Sequence, residues 1–388
     1  MTATSTTVQA AKHAKNSQNL TKIRAMTELA KADPLLAIRA SELDANPDLL
    51  GVSNGVLDLK IGKLRVARPD DLMTKQAKVA FDSAATCPQW EAFMQTTFGN
   101  DTALIEYMQR ALGSTLYGEM REHVFFFLYG TGANGKSTLI NVIQTLLDDY
   151  ATTLPTEALM KGKRDAGAAT PELMLLRGAR MAITQETDDG QYLAESRMKQ
   201  LTGGDKIVAR ALYGGMVEFV QTAKLFMVGN HKPQISGTDE GIWRRVHLIP
   251  FNITIPQSQR DPDLSKKLLG EAPGILNWLL KGCQDWLALG LKAPSAVVGA
   301  TQQYRQESDI LQQFLDDCCH VIPQASISKS DLYVAYRKWM ERNGHRPWSS
   351  NRLGRRMKEQ NFQEVTNGKV RAWSGVELNL LGYGFLGP

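Results

Sequence analysis

Apolar positions along the 388-residue chain fall into three rhythms. Unbroken runs mark strands covered on both faces: HVFFFLYG at 123–130, KLFMVGN at 224–230 and VHLIPF at 246–251, with RMAITQE at 180–186 a shorter and less apolar version. Helical spacing runs from Pro88 to about Gly118, where Leu104, Ile105, Met108, Leu112 and Leu116 share one face. It returns in STLINVIQTLLDDY at 137–150, in PGILNWLLKGCQDWLALGL at 273–291 and over about 300–318. Strict alternation marks the third rhythm. LLGVSNGVLDLKIGKLRV at 49–66 predicts short strands broken at Asn54-Gly55 and Ile61-Gly62. KIVAR and MVEFV, on either side of Gly214-Gly215, predict a hairpin.

Strands alternating with helices over 121–256 predict an α/β layer. Before it lies a mainly helical module whose first 35 or so residues are polar and basic, with helical spacing in NLTKIRAMTELAKA. After it comes a helical stretch and then a terminal unit. There SISKSDLYVAYRKWMERNG predicts a helix with Leu332, Ala335, Tyr336 and Trp339 on one side. Ser349-Ser350 offers an N-cap for NRLGRRMKEQ, and Asn367-Gly368 turns between two strands of FQEVTNGKVRAWSG. Helix, helix and two-stranded wing form a winged-helix-like arrangement. The segmentation expected is 1–118, 119–256, 257–322 and 323–380, followed by a loose glycine-rich tail, LLGYGFLGP.

Hydrophobic residues make up 43% and charged residues 22%, an ordinary globular balance. No apolar run approaches the ~18 residues of a membrane helix, and the polar N-terminus holds no signal-peptide core. Neither a membrane partner nor export is therefore expected, and the chain is placed in the cytoplasm. Four cysteines, at 87, 283, 318 and 319, show no second Cys or His pair at metal-ligand spacing, so they read as buried or idle thiols. The net charge of +5 is unevenly spread: residues 325–375 hold eleven Lys and Arg against four Asp and Glu, a net of +7, leaving −2 for the rest. A basic terminal unit on a near-neutral body points to a polyanion, the plain alternative being a solvated basic surface.

The chemistry centres on GTGANGKST, 130–138, which fits G-x-x-x-x-G-K-[ST] between a predicted strand and a predicted helix. Gly130, Gly132, Asn134, Gly135 and Thr138 would shape a loop whose backbone N–H groups surround phosphates. Lys136 would bridge the outer phosphates and Ser137 would ligate Mg²⁺. Glu186, at the end of the second strand, is the candidate to orient or deprotonate the attacking water, and Asn230 ends the third strand, where an amide can hold water or phosphate. Arg244 and Arg245 are candidates for an arginine supplied across a subunit boundary; spacing does not choose between them. No N-K-x-D motif is present, which favours ATP over GTP. LTGGD, 201–205, looks like a transporter-type ATPase signature, but it follows Glu186 where that signature would precede the acid. In the hairpin that follows, Lys206, Arg210 and Tyr213 supply two cations and one aromatic suited to a single strand. Arg352, Arg355 and Arg356 are expected to share a helix face that meets duplex DNA.

Taken together, GTGANGKST, ITQE, KQLTGGDKIVARALYGGMVEFVQTAKLFMVGN and GIWRRVHLIPF resemble the superfamily 3 helicases. The closest resemblance is to the helicase half of phage and plasmid primase-helicases and their poxvirus-type relatives. It implies an AAA+-like P-loop ATPase core that binds ATP and Mg²⁺ and assembles as a homo-hexamer around single-stranded DNA. Lys136, Ser137, Glu186 and Asn230 would act within one subunit, and Arg244 or Arg245 in its neighbour. It also implies a DNA helicase of phage, prophage or plasmid replication in a bacterial host, with a separate primase as partner and duplex origin DNA at the C-terminal unit. The alternative is an ATP-switched initiator or loader that does not unwind. Two departures stand out. Gln185 occupies the position where many P-loop enzymes carry an aspartate, which leaves the metal to Ser137 and the phosphates with Glu186 in its outer shell at most. The chain also has no room for a primase, so a helicase-only protein or a fragment is expected.

Overall fold

The computed structural model describes residues 5–34, 36–162, 169–185, 190–237, 239–368 and 370–387. Two helices open the described chain, α1 (Ser5–Ser17) and α2 (Leu20–Ala32), and α2 buries nothing. A three-stranded antiparallel sheet follows: β1 (Leu49–Val52), β2 (Gly55–Asp58) and β3 (Lys63–Arg65). The helical rhythm after Pro88 is two helices, α3 (Pro88–Thr97) and α4 (Thr102–Gly113), where the sequence reads as one. Gly99 and Asn100 both take positive φ between them, which ends the first helix, and the Asp101 side chain caps the second by accepting from Leu104 N at 3.0 Å.

The core alternates β4 (Phe125–Tyr129), α5 (Lys136–Leu147), β5 (Ala151–Thr153), a short α6 (Pro171–Met174), β6 (Met181–Gln185) and α7 (Glu195–Leu201). The hairpin β7 (Lys206–Arg210) and β8 (Met216–Val220) precedes β9 (Lys224–Gly229), α8 (Glu240–Trp243) and β10 (Val246–Pro250). Five strands pair in the order β10-β4-β9-β6-β5, all parallel. Parallel sheets are covered on both faces, which is why the central strands β4 and, after Lys224, β9 run apolar without alternation. Phe126, Leu128 and Ile183 face the layer that holds α5, while Phe125, Phe127 and Ala182 face the layer that holds α7 and the inner residues of the hairpin. Phe126 stacks on Phe226 of the neighbouring strand, with ring centroids 4.6 Å apart.

Four helices come next: α9 (Leu264–Leu269), α10 (Ala272–Leu289), α11 (Ser295–Ser308) and α12 (Ile310–Cys318). Asp309 separates the last two, its side chain accepting from Gln312 N at 3.2 Å. Although α10 lies far along the sequence, it packs on α4 so closely that a Cβ on Gly113 would fall 2.6 Å from Leu279 O. The N-terminal module and the helical stretch after the core thus share one apolar interior with the α5 face of the sheet.

The C-terminal unit has its own apolar cluster, around Phe314, Tyr336, Trp339 and Trp373. It contains β11 (Cys319–His320), β12 (Ser326–Ser328), α13 (Lys329–Arg342), α14 (Ser350–Glu359), β13 (Gln363–Asn367) and β14 (Val370–Ser374). The expected pair of strands is a three-stranded sheet, β12-β14-β13, because Ser326–Ser328 pairs with β14 before entering the helix. The Ser349 hydroxyl caps α14 by accepting from Arg352 N at 3.3 Å.

The tail is ordered where the sequence reads as loose. After β15 (Glu377–Leu378), which pairs with β11, comes α15 (Leu380–Gly384). Asn379 caps that helix through Gly382 N and donates its amide to Asp317 O at 2.8 Å, and Gly382 packs without room for a side chain.

All four cysteines are free and buried, and burial pushes each thiol up to about 12. Near neutral pH, native protein is expected to react with a thiol reagent at well under one site per chain, rising to four once denatured; a colorimetric thiol titration checks this. Among the described residues no helix is long and apolar enough to cross a membrane.

Candidate functional site

At the C-terminal end of β4 the chain turns through residues 130–135 into α5. Three residues of this loop take positive φ: Gly132 at +107°, Ala133 at +48° and Gly135 at +84°. Gly130 has no room for a side chain, since a Cβ there would lie 2.5 Å from Phe251 O. The Asn134 amide donates to that same carbonyl at 3.2 Å, and Ile255 N donates to Ala133 O at 2.8 Å. Behind Gly135 stand Phe93 and Thr97 of α3, so the N-terminal module supports the loop directly. Ser137 is exposed in the first turn of α5, and Thr138 beside it is half-buried.

Lys136 is 4% exposed, and its ammonium donates to Gly130 O at 2.6 Å, Asn134 Oδ1 at 3.0 Å and Asn230 Oδ1 at 3.2 Å. Burial lowers its pKa to about 8. No described carboxylate lies within ion-pair distance of it. A cation held by three neutral oxygens is hydrogen-bonded but not neutralised. Sheet order explains how Asn230 arrives there: β9 lies beside β4 with Tyr129 paired to Gly229, so the residues that follow each strand are neighbours. On the other side β9 pairs with β6, and Gln185, the last residue of β6, is opposite Val228. Glu186 lies outside the described residues.

The two candidate arginines part company. Arg244 is exposed. Arg245 is 9% exposed, with Nε donating to Thr202 Oγ1 at 3.2 Å and a terminal nitrogen donating to Gly241 O at 2.8 Å. Thr202 belongs to the segment that leads into the hairpin. The same two regions are joined twice more: Glu195 Oε1 accepts from Ser236 N and Gly237 N, both at 3.0 Å, and Lys199 pairs with Asp239 at 2.9 Å, holding that carboxyl below its usual range. The arginine segment and the base of the hairpin are thus one knitted unit. Sequence reasoning missed Glu195 and Lys199, which match no motif; Thr202 lies within LTGGD, but nothing local points to its partner, and all three sit some forty residues before the groups they hold.

In the hairpin, alternation puts Ile207 and Ala209 into the core and leaves Lys206, Val208 and Arg210 outside. The turn spans Ala211–Gly215, longer than the Gly214-Gly215 turn expected. Gly214 N donates to Ala211 O at 3.1 Å, and Tyr213, at φ +57°, projects from the tip fully exposed. A non-glycine residue held in the left-handed region costs about 1 kcal/mol or more, and such strain clusters at functional sites. Lys206 pairs with Glu218 on the returning strand at 3.2 Å. Arg210 is exposed at its side chain, while its backbone exchanges bonds with Thr170.

The three arginines of α14 do not present one face. Arg355 is exposed. Arg356 is 9% exposed and pairs with Glu359 at 2.7 Å and with Asp309, at the α11–α12 junction, at 3.7 Å. Its charge pins the C-terminal unit to the helices before it and is not available to a duplex. Arg352 lies over the Trp348 ring at 4.5 Å, facing an internal cleft. The face expected to meet a duplex is thus split, with Arg355 exposed and Arg352 and Arg356 lining the cleft, a difference that helical spacing could not show.

Three family models match the chain: D5 N terminal like over 3–99, a family of unknown function (DUF5906) over 128–245, and Poxvirus D5 protein-like over 306–381. A protein of Acanthamoeba polyphaga mimivirus named "Putative helicase" is 32% identical over 324 residues, covering 78% of this chain and 34% of the relative. One of Frog virus 3 with the same kind of name is 25% identical, covering 78% and 39%. A "Putative primase" of African swine fever virus is 23% identical, covering 78% and 34%. The chain thus spans about a third of the length of these curated relatives. Two apo structures of the NrS-1 C terminal region match with TM-scores of 0.45 and 0.47 at 12% and 13% identity, each covering 83% of the known chain and 85% or 86% of this one. The relatives come from large DNA viruses of eukaryotes, so the bacterial setting expected from the sequence finds no support among them. What the matches support is kinship with the D5-like helicase-primases of those viruses.

Proposed function

We propose that the chain is the ATP-hydrolysing motor of a superfamily 3 type DNA helicase, assembling as a ring of six that moves along single-stranded DNA during viral replication. The observation that carries this reading is the Lys136 ammonium, buried at the mouth of the 130–135 loop and held by neutral oxygens from both the loop and Asn230. A polyphosphate supplies the missing negative charge, so the residues present fit ATP. Mg²⁺, held through the exposed Ser137 hydroxyl and the phosphates, would neutralise charge on the transferred group. In this scheme Lys136 leaves its loop partners for the outer phosphates. Asn230 then holds the water or the terminal phosphate, and Glu186 orients or deprotonates that water.

Arg244, the exposed member of its pair, reaches the neighbouring subunit's site. Arg245 and the Glu195 and Lys199 contacts pass its displacement to the base of the hairpin. Tyr213 at the tip, with Lys206 and Arg210 below it, then carries the strand. Tyr213→Ala is expected to keep nucleotide binding, assembly and DNA-free hydrolysis while losing stimulation by oligo-dT and strand separation. A coupled ATPase assay and a forked-duplex assay read these together. Unwinding at the wild-type rate would remove the hairpin from the mechanism, and an initiator or loader would show assembly without unwinding even in the wild type.

A further inference from the structure

Between the β9–α8 connection of the core and the C-terminal unit runs a cleft of about 650 Å³. Residues 232–236, with Lys161 beside them, form one wall, the α11–α12 junction forms the floor, and residues 345–349 with the first turn of α14 form the far wall. Five cations line it against one carboxylate, Glu307. Much of that charge is answered: Lys232 pairs with Glu307 at 2.7 Å, Arg356 pairs with Glu359 at 2.7 Å and Asp309 at 3.7 Å, and Lys161 lies 3.5 Å from Glu195. Arg346 and Arg352 have no described carboxylate within ion-pair distance.

The cations are also paired with rings on both walls. Lys161 lies over Tyr192 at 5.5 Å, Lys232 over Tyr129 at 4.7 Å, and Arg352 over Trp348 at 4.5 Å. The Arg352 guanidinium is planar and already stacked on Trp348, so a flat group can be laid against its remaining face. An acidic peptide would meet the charge and leave this stack unused. A nucleotide chain uses both, its phosphates on the lysines and Arg346 and a base on Arg352.

We propose that this cleft is a second binding site for single-stranded DNA, separate from the hairpin. It gives Arg346 and Arg352, two of the eleven cations of residues 325–375, a single-strand partner. Lys232 comes two residues after Asn230, so phosphate in the cleft competes with Glu307 for a side chain next to the nucleotide site. DNA held there can bias the end of β9.

The site is tested in the full chain without nucleotide, which makes the outcome independent of hydrolysis. Lys161→Glu combined with Arg346→Glu reverses two exposed charges on opposite walls. Fluorescein-labelled oligo-dT should bind this variant at least about tenfold more weakly. The slope of log affinity against log salt should fall by about 1.4, at about 0.7 for each of two lost contacts. Binding of a fluorescent ATP analogue should stay unchanged, showing that the variant folds. Unchanged oligo-dT affinity and salt slope would overturn the proposal. If the variant does not fold, cross-linking of bromodeoxyuridine-substituted oligo-dT to the wild type decides: adducts within 345–352 support the site, and adducts confined to 206–220 overturn it. Displacement of oligo-dT by dTMP at equal affinity would make the cleft a mononucleotide pocket and would also overturn it.

Discussion

Replacing Lys136 by alanine is expected to lower ATP hydrolysis at least ~100-fold with the fold intact, the scale seen when a preorganised charge donor is removed from a reacting centre. In the structure this ammonium is buried, is answered by three neutral oxygens, and has its pKa lowered to about 8 by burial. That pKa gives the prediction a second, independent form. Below about pH 8 Lys136 is charged and attracts phosphate; above it the neutral amine does not. Bound phosphate raises the pKa again, so nucleotide binding takes up a proton near pH 8. Affinity should therefore be about tenfold weaker at pH 9 than at pH 7, and Lys136→Ala should abolish that dependence. Titrations of a fluorescent ATP analogue at the two pH values check it. Affinity that does not change with pH would mean the lysine stays with its loop partners.

The second large effect separates the two arginines. Arg244→Ala is expected to lose about 10³-fold or more of hydrolysis while nucleotide binding and assembly persist, as for an arginine supplied in trans to phosphoryl transfer. Mixing Arg244→Ala chains with Lys136→Ala chains should restore part of the activity, because some interfaces then combine an intact site with an intact arginine. Arg245→Ala should behave differently. It breaks the bonds to Thr202 and Gly241, costing roughly 1–3 kcal/mol of stability, and it loosens the base of the hairpin. A lower melting temperature and weakened DNA stimulation are its expected signs. Reversal of these two phenotypes would show that the buried arginine, not the exposed one, reaches the neighbour.

Much of this was legible in the sequence wherever the signal was local. The loop at 130–138, the runs of the sheet, the caps at Ser349 and the alternation that exposes Lys206 and Arg210 all depend on a few adjacent residues. What depended on long-range packing was not. Asn230 reaches Lys136 because β9 lies next to β4, and strand order is not written in any one strand. Arg244 and Arg245 are equivalent by spacing and were told apart only by burial. Arg356 lies one turn of helix from Arg352, as expected for a shared face, yet Asp309, nearly fifty residues away, removes it from that face. The tail looked loose because glycine frees a chain, whereas Gly382 is needed for close packing.

Everything proposed for the motor depends on the 130–138 loop binding ATP and on hydrolysis there answering to DNA. The most direct test is the hydrolysis rate of assembled wild-type chain with and without saturating oligo-dT. Severalfold stimulation by the oligonucleotide, absent in Lys136→Ala, is the predicted result. No hydrolysis by properly assembled wild-type protein in either condition would contradict it.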